Sequence, residues 1–199
     1  MESKKGVSKG VVICCIVIVF LVVSIVAGAF YIYYGTPEEV YQETLDGGKI
    51  ALSYADEENL FLLENLIPTS DLVGTVYDSA DMFFDFTVNV DIEEANNIEY
   101  EVLLVKDETL STALNTNIKI YLEKEEKDGY VKVAGPEFFS SNVEDSDLGN
   151  SVMSLYKTQR KSNGNDNYRL RLWLSDTAVV TPNEIQNFGI KVALKGKAK

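Results

Sequence analysis

Histidine is wholly absent from the 199 residues, and this excludes more chemistry than any other feature of the composition. Without an imidazole, neither a Ser-His-Asp nor a Cys-His nucleophilic site can be built, nor a conventional His-ligated zinc protease. Cysteine occurs twice, at Cys14 and Cys15, so everything beyond residue 15 folds without an internal disulfide. No Asn-x-Ser/Thr sequon occurs anywhere. Positive charge is scarce, with 18 Lys and Arg against 31 Asp and Glu and a net charge of −13. Lys4, Lys5 and Lys9 against Glu2 make the first ten residues +2, which leaves −15 for the rest. Such a field opposes nucleic acid and anionic lipid.

Against these absences stands one long uncharged run, Val11 to Tyr34. As a helix it rises roughly 36 Å at about 1.5 Å per residue, enough to cross a hydrocarbon core of about 30 Å. Basic residues 1–10 precede it and Tyr31, Tyr33 and Tyr34 close it, where an interfacial aromatic belt belongs. The pattern predicts a single-pass anchor with a cytoplasmic N-terminus and an extracellular remainder. A cleaved secretory signal is the rival reading, since Ala27-Gly28-Ala29 satisfies the small-x-small rule and cleavage would follow Ala29. The apolar run is longer than an ordinary signal core and continues past that point, which favours the anchor. Cys14 and Cys15 read as small apolar side chains of this helix.

Thr36-Pro37-Glu38-Glu39 carries the N-cap, N1 and acidic-first-turn pattern of a short helix reaching Leu45, and Asp46-Gly47-Gly48 breaks it. Residues 35–48 therefore read as a juxtamembrane helical stalk, and 49–199 as the extracellular domain. Residues 55–66 fit either a helical turn or a buried strand. From Met82 the period is two: Phe84, Phe86, Val88, Val90 and Ile92 alternate with polar residues, and Ile98, Tyr100, Val102 and Leu104 repeat the pattern. The Glu93–Asn97 segment reads as a turn that makes these two strands neighbours. Further strands are expected at 118–122, 130–133, 152–156, 168–174 and 188–194, with polar loops at 124–129, 140–150, 162–167 and 181–187. Seven or eight short strands without long intervening helices predict a mainly β protein, an antiparallel β-sandwich of jelly-roll or Ig-like type. Lys191, Lys195, Lys197 and Lys199 alternate with apolar residues and read as the solvated face of the last strand.

Three patterns bear on chemistry. Asp78, Asp81 and Asp85, or Asp145 and Asp147, offer paired carboxylates for acid and base work, yet nothing sets a nucleophile beside a base and no Gly-rich phosphate cradle is present. Oxygen ligands crowd Glu144 to Asn150, but the EF-hand pattern fails there because the glycine is misplaced and Tyr156 stands where the closing glutamate belongs. No cofactor, metal or calcium requirement is expected. Tyr168-Arg169-Leu170-Arg171-Leu172-Trp173-Leu174 holds the only tryptophan. Its period places Arg169, Arg171 and Trp173 on one face, a candidate surface contact for carbohydrate or peptide. The competing reading is that this face is covered and its arginines pair with acids.

The apolar N-terminal segment, Pro68-Thr69-Ser70-Asp71, the Tyr168–Leu174 strand and the closing Phe188-Gly189-Ile190-Lys191-Val192-Ala193-Leu194-Lys195 together resemble the camelysin and TasA-like surface proteins of Gram-positive bacteria. The layout is also similar to uncharacterised single-pass membrane proteins of Firmicutes. The missing disulfide and sequon fit such a surface. The resemblance implies a jelly-roll-like β-sandwich at the cell surface, which in some relatives assembles into fibres by strand exchange. A retained anchor departs from fibre release, no zinc-ligand motif supports a peptidase, and no catalytic residue carries over.

The expectation is a membrane-anchored, non-catalytic surface module for binding, adhesion or structure. Its partners are the membrane through residues 11–34 and a protein or envelope polymer, with self-association through sheet edges. An accessory subunit of an envelope complex and a carboxylate-based envelope hydrolase are the alternatives.

Overall fold

The computed structural model describes residues 39–54, 60–77, 83–145, 147–181 and 184–199. The run from Val11 to Tyr34, the basic tail before it and the Thr36-Pro37 cap lie outside these residues. Among the described residues no helix is long and apolar enough to cross a membrane.

The chain is mainly β. It runs through β1 (Glu39–Leu45), β2 (Gly48–Tyr54), β3 (Phe61–Leu63), β4 (Pro68–Thr69), a helical turn Asp71–Gly74, β5 (Phe83–Ile92) and β6 (Ile98–Asp107). After a 3-10 turn at Asn115–Asn117 come β7 (Ile118–Glu126), β8 (Gly129–Phe138), β9 (Val143–Asp145), β10 (Gly149–Arg160), β11 (Gly164–Ser175) and β12 (Phe188–Ala198). One sheet has the order β1-β2-β5-β11-β7-β8, with β4 added in parallel at the end of β11. The other has the order β3-β12-β6-β10-β9 and is antiparallel throughout. The two sheets pack on one shared apolar core.

The period-two pattern builds that core directly. Phe84, Phe86, Val88 and Val90 of β5 are buried while Asp85, Thr87 and Asn89 between them are half-buried, and Ile98, Tyr100, Val102 and Leu104 of β6 do the same from the opposite sheet. Phe86 stacks on Tyr168 of β11 at 5.2 Å between ring centroids, inside the range where aromatic pairs attract. Each large apolar side chain buried here contributes roughly 1.5–3 kcal/mol, enough together to hold a domain without staples. On β12, Lys191, Lys195 and Lys197 are exposed between buried Val192 and Leu194, as an outward-facing lysine row requires.

Four expectations need correction. The stalk helix is absent from Glu39 on: Glu39–Leu45 is β1, paired with β2 from Glu39↔Ser53 to Leu45↔Gly48. A cap pattern is a local preference, and here β2 offers an edge that pairs every residue of the segment, so the sheet wins over a short isolated helix. Residues 39–48 accordingly belong to the same sheet as β2 and are not a separate stalk.

β5 and β6 are not neighbours. They lie in opposite sheets and face each other across the core. The link between them spends its amides elsewhere: the N–H groups of Glu93, Glu94 and Ala95 all donate to Gly47 O at 3.0–3.1 Å, and those of Asn96 and Asn97 to Lys199 O. Gly47 permits this because it sits at φ +89, and a Cβ there would stand 2.8 Å from the Ala95 nitrogen.

The predicted loops are shorter than expected. β7 and β8 extend to a two-residue turn at Lys127–Asp128, Val143–Asp145 is itself a strand, and β11 starts at Gly164. Most polar residues at these places are strand residues on the wetter face, with Asp166 a buried exception. Lastly, the described residues hold twelve strands instead of seven or eight. Three of the additional ones, β3, β4 and β9, have at most three residues each, too short for any periodicity to show.

Candidate functional site

β11 lies in the middle of its sheet, between β5 and β7, so both of its faces must be covered or wet. Tyr168, Leu170, Leu172 and Leu174 fill the inner face. Arg169, Arg171 and Trp173 share the outer face, as the sequence predicts, but they do not form an open contact surface. Arg169 makes a two-pronged pair with Asp85, Nε to Oδ1 and Nη2 to Oδ2 both at 2.8 Å, and its guanidinium lies 3.9 Å from the Phe83 ring centroid and 4.5 Å from that of Tyr130. Arg171 is buried; its Nε donates to Glu123 Oε2 at 2.8 Å and its Nη1 to Tyr77 O at 2.5 Å. Trp173 has 0% exposure.

What covers Trp173 is the helical turn Asp71–Gly74. β4 pairs Pro68 with Leu174 and Thr69 with Ser175, which lays the next residues across the outer face of β11. Gly74 then rests on the indole so closely that a Cβ would meet Cδ2 at 2.3 Å. The candidate surface contact is thus overturned, and the competing reading, a covered face with paired arginines, is the one found. The cover comes from about a hundred residues upstream, which no inspection of the strand itself reveals.

A second cluster was not legible as a site. Asp166 of β11 is buried and engaged on both oxygens: Oδ1 accepts from Lys124 Nζ at 2.8 Å and from Arg160 Nη1 at 2.6 Å, and Oδ2 accepts from Tyr100 Oη at 2.5 Å. The Tyr100 hydroxyl also lies 2.5 Å from that of Tyr168. Burial alone would raise the Asp166 pKa, but the Lys124 and Tyr100 hydrogen bonds and the Lys124 and Arg160 charges outweigh it, and the carboxyl is held below its ordinary range. Burial pushes Tyr168 and Tyr100 well above the usual phenol value, Tyr100 further under the influence of Tyr168 and Asp166. Both carboxylate oxygens and both phenol hydroxyls are engaged with one another or with Lys124 and Arg160, an arrangement suited to holding strands together. Its evident work is to tie β6 and β10 of one sheet to β7 and β11 of the other. The signal available in sequence was two tyrosines at core positions of strands, whose hydroxyls must find partners when buried; the Gly164–Asn167 run read as a loop concealed the acid.

Sheet edges are treated unequally. On β12 past β3, Tyr54 Oη donates to Val192 O at 2.9 Å and Gly196 N–H donates to Glu43 Oε2 at 3.0 Å, so side chains from the facing sheet occupy edge groups. β8 carries Pro136, exposed Lys132 and two register breaks against β7, features that discourage strand addition. On β10, β9 pairs only with Gly149 and Val152, and Asn142 Oδ1 takes the Ser154 N–H at 2.7 Å. From Tyr156 to Arg160 no further strand lies on that side among the described residues.

Of the candidate carboxylates, Asp85 is occupied by Arg169, Asp147 is exposed in a turn, and Asp78 and Asp81 lie outside the described residues. Asp145 ends β9 and pairs with Gly149 of β10, which sits at φ +100, in the left-handed region that glycine favours. Among the described residues no group of three or more His, Cys, Asp or Glu is placed to hold a metal ion. Comparison with protein-family models finds no match, and comparison with characterised proteins finds none either.

Proposed function

We propose that the chain is a membrane-anchored surface module: a β-sandwich of jelly-roll-like layout, held outside the cell by residues 11–34 and acting without catalysis in binding, adhesion or envelope structure. The observation that carries this reading is the order of parts. A 24-residue uncharged run after a basic tail leads within a few residues into a two-sheet, disulfide-free domain of strong negative charge. The resemblance to camelysin and TasA-like proteins agrees with it. The conspicuous Arg169, Arg171 and Trp173 are spent on internal packing, and the buried Asp166 has both oxygens engaged by side chains from neighbouring strands, which supports a structural role for both clusters.

Partner binding on this reading falls to strand edges, not to the YRLRLW face. The Tyr156–Arg160 stretch of β10 is the edge best suited to accept an added strand, from a second copy or an envelope protein. Protease added to whole cells, with an antibody against the C-terminal domain, tests the placement. Digestion on intact cells is the expected result; digestion only after the cells are broken would reverse the orientation and refute the proposal.

A further inference from the structure

The open stretch of β10 is a consequence of where the chain crosses between the sheets. After β8 the Phe139 N–H still donates to Ile118 O of β7 at 2.9 Å, but by Asn142 the chain has reached β10. There the Asn142 N–H donates to Val152 O at 3.0 Å and its Oδ1 accepts from the Ser154 N–H at 2.7 Å. From that point β9 runs toward Gly149, away from Tyr156. Asn142 is therefore the last partner on that side, and among the described residues Tyr156–Arg160 pairs with β6 alone.

The two faces of this stretch differ in chemistry. Tyr156 and Thr158 stand opposite Val102 and Tyr100 of β6 and turn inward with them, yet both are only half-buried. The Tyr156 ring meets Tyr168 edge-on at 6.1 Å. Across the seam β8 adds Val133 and Ala134, partly buried against the core, and Val131 at 44% exposure. Apolar surface is thus half-covered on this side. Lys157 and Gln159 stand opposite Glu101 and Glu99 on the outer face and are exposed. From Leu148 to Asn165 the chain holds Lys157, Arg160 and Lys161 and no acid, although everything beyond residue 10 sums to −15. Arg160 is committed to Asp166, whereas Lys161 is exposed. Lys157 reaches Glu101 at 3.2 Å but its side chain keeps 72% exposure, and a pair so exposed holds its lysine weakly. Lys195 and Lys197 of β12 lie on the same outer face two strands away, about 10 Å at ~4.8 Å per strand.

Lysines on an edge deter strand addition, because a neutral or basic strand leaves them desolvated or repelled. The same lysines select a strand that brings carboxylates. A second copy of this chain is a poor occupant, since two bodies that each carry −15 beyond residue 10 repel. We propose that Tyr156–Arg160 accepts an extended acidic segment of a different protein whose side chains alternate in character. Carboxylates face outward opposite Lys157 and Lys161, and apolar side chains face inward opposite Tyr156 and Thr158, closing the seam toward Val131 and Val133. The segment's backbone continues the line that Asn142 ends. The inference rests on the edge-binding reading above and supplies the chemistry of its partner.

The test uses the full chain in neutral detergent micelles and three fluorescein-labelled peptides: one alternating valine with glutamate, one alternating valine with lysine, and the glutamate peptide N-methylated at every residue. Fluorescence anisotropy reads edge binding whichever side of the membrane the domain occupies, so its failure is distinct from failure of the protease test of placement. The glutamate peptide is expected to bind roughly tenfold more tightly than the lysine peptide, and less tightly as salt rises. That preference is expected to vanish in a Lys157→Glu, Lys161→Glu variant, and N-methylation to abolish binding, since it removes the N–H groups a strand needs. Equal binding of the two peptides, binding of neither, or undiminished binding of the N-methylated peptide overturns the proposal. Concentration-dependent dimerisation of the full chain that the same two substitutions abolish would give the edge to a second copy, and overturns it as well.

Discussion

Gly74→Ala adds one methyl group at the point where the helical turn meets the indole of Trp173. Its Cβ would stand 2.3 Å from Cδ2, 2.5 Å from Cε2 and 2.8 Å from Cε3, whereas carbon atoms rest at about 3.5–4.0 Å. The ring has no exposed surface to retreat toward. The turn itself is pinned by Gly74 N–H to Ser70 O at 2.9 Å, Thr75 N–H to Asp71 O at 3.1 Å and Thr75 Oγ1 to Asp71 O at 2.8 Å. A shift of more than 1 Å is needed, and overpacking of this kind costs about 1–3 kcal/mol. Alanine recovers at most ~1 kcal/mol of helix preference, and less at the last residue of a single turn. The net loss is about 1–2 kcal/mol, or a melting temperature lower by roughly 2–8 °C for a chain of this size. Because Trp173 is the only tryptophan, its emission reports on this contact alone. A red-shifted, more readily quenched emission should accompany the lower melting temperature. If the variant melts as the parent does and its emission is unchanged, the turn does not seal the indole and the account of the covered face is wrong.

Three further outcomes follow from the buried groups. In the parent protein, acrylamide should quench Trp173 only weakly until urea unfolds the domain; ready quenching in the native state would restore the exposed-aromatic reading. Asp166→Asn leaves Lys124 and Arg160 facing a neutral group and should cost about 3 kcal/mol, read as a lower urea midpoint at unchanged m. Since the folded-state pKa of Asp166 is lowered from an ordinary 3.8, its stabilisation is complete above about pH 4 and is lost as pH falls further, so the variant should show a shallower acid decline. At the alkaline end the sign reverses. Unfolded tyrosines ionise near pH 10 while burial holds Tyr54 up to about 12, with Tyr100 and Tyr168 raised as well. The unfolded state thus loses protons first, stability falls from pH 10 upward, and phenolate absorbance from these residues should appear together with unfolding and not before it.

Alternation alone settled a good deal. Phe84 to Val90, Ile98 to Leu104 and Tyr168 to Leu174 announce strands and name their buried sides, because a side chain's face depends only on the backbone's period of two. The missing histidine likewise limits the chemistry whatever the fold. Alternation says nothing about which strand lies beside which: β5 and β6 show matching patterns and a polar link, yet they belong to different sheets. Pairing is decided by contacts between residues far apart in the chain, and Gly47, β4 and the C-terminal Lys199 each intervene. For the same reason Arg169, Arg171 and Trp173 were readable as one face but not as a covered one, since their partners Asp85, Glu123 and Gly74 lie 48 or more residues away. Asp166 became a cross-sheet tie only when four strands delivered Tyr100, Lys124, Arg160 and Tyr168 to the same few ångströms. Local periodicity is written into each segment by its backbone geometry; burial and charge pairing belong to the assembled sheets, where water is excluded by residues the segment does not contain.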